Sequence, residues 1–152
     1  MPITTYLEMQ NTVEKIRKLT SPIFKIHPPI ELAYLFGSTT TNTRGLLSDI
    51  DIGIYLMADM PTREILKIEL TLIAELTSVL KTNALDLTIM NLASNFLNFE
   101  IIRCNSPLYV KNDEFRIEVE HRIHSTYLDR QFHETLFNEI FLRQIRDKNV
   151  NI

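Results

Sequence analysis

Two short apolar runs enclosing a fixed polar spacing constrain this chain more than any other feature. Ile30 to Phe36 ends in Gly37-Ser38, ten residues intervene, and Asp49-Ile-Asp51 then opens the second run, Ile50 to Leu56. Each run is short, apolar and bounded by Pro or Gly, which predicts a buried strand rather than a helix. On a strand successive side chains face opposite ways, so Asp49, Asp51 and Gly53 share one face, while Ile50, Ile52 and Ile54 point into the core. The chain contains three glycines, Gly37, Gly45 and Gly53, all inside this window. Gly37 at a strand end permits a sharp turn. Ser38 can then begin a helix whose free amides face an anion such as phosphate. Gly53 beside the acids is expected to leave room for something bulky.

Adjacent carboxylates on one face repel, so they call for a cation. Mg²⁺ prefers carboxylate oxygen and keeps coordination sites for phosphate, whereas the Cys and His ligands favoured by zinc are absent from this window. Leu85 to Met90 alternates with period two and is predicted as a third strand, with Asp86 and Thr88 on the face opposite Leu85 and Leu87. Asp49, Asp51 and Asp86 could thus hold two Mg²⁺ ions around a nucleoside triphosphate, with Gly37, Ser38 and Arg44 toward its phosphates. Asp-x-Asp alone is common at solvated strand ends, and Arg44 as a lone basic loop residue is ordinarily just solvated. The combination of Gly-Ser with both acids at one spacing arises by accident in roughly one chain of this length in a few hundred.

The remaining pattern is helical. Thr4 to Leu19 reads as an amphipathic helix stopped by Ser21-Pro22, with His27 in the loop before the first strand. Pro61-Thr62 opens a helix to about Lys81, with Ile65, Leu66, Ile68, Leu72, Ile73, Leu76, Val79 and Leu80 inward. Ala93 to Arg103 is helical, Asn105-Ser106-Pro107 is a turn, and Leu108 to Val110 is short and extended. From Asp113 to Arg146 neither Pro nor Gly occurs. Phe115, Val119, Ile123, Tyr127, Phe132, Phe137 and Phe141 recur there, and packing onto the body is their expected fate, a partner surface the alternative. His121, His124 and His133 read as a solvated helix face. The fold class is therefore α+β: a small mixed sheet flanked by helices with a long C-terminal helix. It forms a single domain over 1–152, with its core at 30–110 and a helical segment at 113–147.

A single cysteine, Cys104, excludes an intrachain disulfide, and a net charge of −3 argues against a general nucleic-acid binder. No apolar run approaches membrane-spanning length and no leader pattern is visible, so a cytoplasmic protein is expected.

Gly37-Ser38, Asp49-x-Asp51 and Asp86 resemble the signature of the DNA polymerase beta nucleotidyltransferase superfamily, in its minimal branch. Asn105 to Tyr109, Phe115, Glu120 and Tyr127 to Asp129 are similar to the C-terminal pattern of the MntA antitoxins, encoded beside HEPN-domain toxins called HepT. The resemblance, over about Leu32 to Arg146, implies a nucleotidyltransferase palm, Mg²⁺ held by Asp49, Asp51 and Asp86, and Ser38 on the triphosphate. It further implies that Asp86 assists deprotonation of the acceptor, that AMP passes from ATP to a tyrosine of the toxin, and that the two proteins form a hetero-oligomer. Neutralisation by binding alone, and small-molecule nucleotidyl transfer, are the alternatives. The family often has glycine where Asn105 stands, and Asn tolerates the same left-handed backbone.

Overall fold

The computed structural model describes residues 3–37 and 49–150. Its elements are α1 (Ile3–Ile26), β1 (Ile30–Phe36), β2 (Ile50–Leu56), α2 (Thr62–Leu80), β3 (Leu85–Ile89), α3 (Asn95–Arg103), β4 (Pro107–Val110) and α4 (Asp113–Val150). The strands form one mixed sheet in the order β3-β2-β1-β4. β1 pairs antiparallel with both β2 and β4, and β2 pairs parallel with β3. The parallel pair needs a crossover, which α2 supplies as a β-α-β unit.

The period-two pattern divides the sheet between two cores. Ala33, Leu35, Ile50, Ile52, Ile54, Leu56, Leu87 and Ile89 face α1 and α2, which contribute Ile16, Phe24, Ile65, Leu72 and Leu76. Leu32, Tyr34 and Met90 face α3 and α4, which contribute Ile101, Val119 and Ile123. On α2 the inward residues 65, 68, 72, 76 and 80 follow the helical repeat. Leu66 falls off that stripe and is exposed, contrary to expectation.

Pro22 does not end the first helix but lies within it. An interior proline costs about 3 kcal/mol. It is outweighed because the turn beyond it carries Phe24, fully buried and in ring contact with Tyr109, together with Ile23. The inward face is accordingly Val13, Ile16, Thr20, Ile23 and Phe24, while Leu7 and Leu19 are exposed. His27 lies just past the helix, as expected, and its Nε2 is 2.7 Å from Glu75 Oε2 on α2, tying the two helices together.

The last helix is continuous through Val150. Its first half packs on the body. Val119 and Ile123 are buried, and Tyr127 stacks on Phe99 with ring centroids 3.7 Å apart and nearly parallel planes. From 128 to 148 every residue is exposed, Phe132, Phe137 and Phe141 included, so these aromatic residues do not pack onto the body as expected. α3 is only nine residues long; its Asn95 and Phe96 line a cleft with Tyr127, Arg130, Gln131 and Glu134 and leave the aromatic residues of α4 beyond Tyr127 exposed.

Candidate active site

The three predicted acids gather at one edge of the sheet, on the face of Tyr34 and Phe36. Phe36 is the register partner of Asp51 on β2, and Asp51 is in turn the partner of Asp86 on β3. In-register neighbours on adjacent strands stand about 4.8 Å apart and project to the same face. Asp49 precedes Asp51 by one pleat and is exposed, Asp51 is half-buried, and Asp86 is exposed. Burial, and then the like charges of Asp86 and Asp49, push the Asp51 carboxyl above the usual carboxylate range. No ion pair among the described residues involves any of the three.

Gly37 closes the site from β1. Its φ of +76° lies in the left-handed region, and a Cβ built on it would overlap Asp51 Oδ2 and stand 3.1 Å from Cγ. A side chain at 37 would thus take the place of the Asp51 carboxylate, so glycine is required both for the turn and for the acid below it. Ser38 and Arg44, the other expected phosphate contacts, lie outside the described residues, as does Gly45.

Gly53 has a different role from the expected one. A Cβ there would meet Ile101 Cδ1 and Cγ2 at 3.1 Å and Met90 Sδ at 3.4 Å. The space beside the acids at this point is filled by α3, so Gly53 serves core packing and offers no room to a substrate. One pleat away, the Tyr34 hydroxyl donates to Glu120 Oε1 at 2.8 Å. Burial, reinforced by the Glu120 hydrogen bond and charge, pushes the Tyr34 phenol well up, so it stays a donor. Glu120 is therefore committed to Tyr34, and His124 lies against the Phe99 ring at 5.6 Å.

The donor set suits a hard cation: three carboxylates, with no thiolate or imidazole among them. Among the described residues no three Asp, Glu, His or Cys groups stand together closely enough to hold an ion by themselves.

Sequence patterning gave no sign that α1 reaches this end of the molecule. Its C-terminus leads into the start of β1, so its N-terminal half runs toward Gly37, and at 24 residues it spans roughly 36 Å, longer than the strand beside it. Tyr6, Gln10, Val13, Glu14 and Arg17 line a cleft of about 280 Å³ together with Cys104, Asn105 and Ser106. Ser106 O accepts from Leu35 N at 2.9 Å, and Arg17 Nε donates to Pro107 O at 2.8 Å, which ties this cleft to the strand carrying Gly37. Asn105 turns the chain there with φ +49°, the left-handed backbone expected of it. A cleft made by residues about 90 positions apart leaves no local pattern to read.

Among the described residues no helix is long and apolar enough to cross a membrane. No curated protein matches the chain. Solved structures do share its fold. One, a toxin–antitoxin with AMP-PNP, is 24% identical with a TM-score of 0.59, covering 85% of this chain and 98% of the other. A second is the tri-AMPylated Shewanella oneidensis HEPN toxin in complex with MNT antitoxin, at 23% identity and TM-score 0.55, covering 88% and 98%. A third, a mutant MntA–HpeT toxin–antitoxin, is 25% identical with a TM-score of 0.60, covering 84% and 96%. The minimal-antitoxin resemblance and the α+β palm expected from the motifs thus meet their counterparts among known folds. The model of the family described as Polymerase beta, Nucleotidyltransferase matches residues 5–114, a span holding the whole sheet and all three acids, and the chain belongs to that family.

Proposed function

We propose that this nucleotidyltransferase is an antitoxin that transfers AMP from ATP to a tyrosine hydroxyl of a cognate HEPN-domain ribonuclease toxin and so inactivates it. The observation that carries the reading is the register of Asp51 with Asp86 beneath the left-handed Gly37, in a chain of this family. Structures of the same fold that hold AMP-PNP or an AMPylated toxin support the nucleotide and the partner.

Each side chain has a definite task in this reading. Asp49, Asp51 and Asp86 would hold Mg²⁺, which when bound would offset phosphate charge and make the acceptor hydroxyl easier to deprotonate. Asp86, exposed at the rim, takes the tyrosine proton as the phenolic oxygen attacks the α-phosphorus. The bond from that phosphorus to the bridging oxygen breaks, and pyrophosphate leaves with the electron pair. Gly37 keeps its backbone clear of the Asp51 carboxylate, while Ser38 and Arg44 contact the triphosphate. The whole chain acts as one minimal domain in the cytoplasm, joined to its toxin in a hetero-oligomer.

Incubation with ATP, Mg²⁺ and the HEPN-domain protein encoded beside this chain should add AMP masses to that protein. Unchanged mass with folded, Mg²⁺-supplied protein overturns the proposal. The exposed apolar length of α4 favours a second reading, neutralisation by association alone. An Asp49→Ala/Asp51→Ala variant separates the two: it loses protection if transfer is required and keeps it if association suffices.

A further inference from the structure

Among the described residues, none buries a face of the outer half of α4. Residues 128–148 are all exposed, roughly 32 Å of helix, although helices in proteins owe most of their stability to a packed face. The stretch is not a polar strut. Leu128, Phe132, Leu136 and Ile140 form one ridge at four-residue steps. Phe137, Phe141 and Ile145 form a second ridge, and at about 100° per residue it lies roughly 160° further round the helix. Leu142 lies between them on the remaining side. Apolar residues on opposing sides mark a helix that is enclosed rather than laid on a surface.

The available area decides what encloses it. These eight side chains are about half exposed on average, which leaves roughly 800 Å² of apolar surface. A second copy of the same helix laid against one ridge would cover about half of that on each side, roughly 800 Å² in total, the range of incidental contacts. A groove between two helices, covering both ridges, would bury close to all of it on this side alone, the size of a specific interface. Charge orients the occupant. Toward the body Asp129, Glu134 and Glu139 outnumber Arg130, which is paired with Glu134, and toward the tip Arg143, Arg146 and Lys148 outnumber Asp147.

We infer that the outer half of α4 is a docking helix taken up between two helices of a helical partner protein. The partner's groove is apolar, with basic residues where it meets the body and acidic residues where it meets the tip. The inference depends on the proposed function only for the identity of that partner, the HEPN-domain acceptor.

The test uses the full chain and a Phe137→Glu/Phe141→Glu variant, each mixed with the neighbouring HEPN-domain protein. Both substitutions lie on solvent-facing positions, so the variant alone should melt as the unaltered chain does. Hydrogen exchange over 128–148 should slow at least tenfold on complex formation, and the variant should bind on the order of 100-fold more weakly. Unchanged exchange in a complex that forms, or no complex at all, overturns the inference. So does a dimer of the chain alone that the two substitutions dissolve. Intact mass of the same samples separates the two readings. AMP transfer with an unprotected helix refutes the docking and leaves the enzymatic proposal, whereas protection without transfer does the reverse.

Discussion

Replacing Asp51 by asparagine should make the protein more stable and inactive at once. Asp51 and Asp86 are register partners on parallel strands, so their side chains leave the same face from backbones about 5 Å apart. Two unit charges at that separation repel by about 3 kcal/mol at an effective dielectric of 20. Asp86 is exposed and Asp51 half-buried, so water reduces this to about 1 kcal/mol. Asparagine keeps the shape and removes the charge. In chelator, thermal unfolding of the variant should therefore lie about 2–4 °C above that of the unaltered protein. AMP transfer should fall by at least about 100-fold, as when one electrostatic stabiliser is removed. pH supplies an internal control. The Asp51 carboxyl is raised in the folded protein, so as pH falls the native state takes up this proton before the unfolded chain does. The cost of the charged form, from burial first and from Asp86 and Asp49 second, is present above the raised native value and gone below the ordinary carboxylate value of about 3.9. The gap in melting temperature should narrow steadily over that descent. A variant that melts lower at pH 7 in chelator, or a gap that widens in acid, would refute the picture of three unneutralised carboxylates.

Gly37→Ala forces an L residue to φ +76° and pushes on the Asp51 carboxylate, so it should cost about 1–2 kcal/mol by chemical denaturation and a far larger factor, roughly 100-fold, in transfer rate. Gly53→Val should overpack against Ile101 and Met90, lowering stability by about 1–3 kcal/mol while transfer per folded molecule, counted by burst amplitude, holds. Tyr34→Phe leaves Glu120 without its donor and should lower unfolding free energy by about 0.5–1.5 kcal/mol in urea titrations.

Much of the site could be read from local pattern. The period-two alternation of Ile50 to Leu56 and of Leu85 to Ile89 placed Asp51, Gly53, Asp86 and Thr88 on the side away from the main core, and the register pairs them as that phase requires. The turn at Gly37 was legible because glycine enters the left-handed backbone region more readily than any other residue. The part assigned to Gly53 was not, because the same missing side chain admits either a ligand or a neighbouring helix, and only the arrival of Ile101 decides between them. The cleft between α1 and the turn before β4 joins distant segments, and no window of sequence spans it.

Strand phase, helix period and the chemistry of the acids are properties of neighbouring residues, and the order of amino acids determined them directly. Strand order, the survival of Pro22 inside α1, and the exposure of α4 beyond Tyr127 depend on what each element meets in space. Proline is tolerated where Phe24 has a core to enter, and Phe137 is left in water where the body ends. Those outcomes belong to the tertiary structure, because burial is a relation between distant segments and not a property of either one.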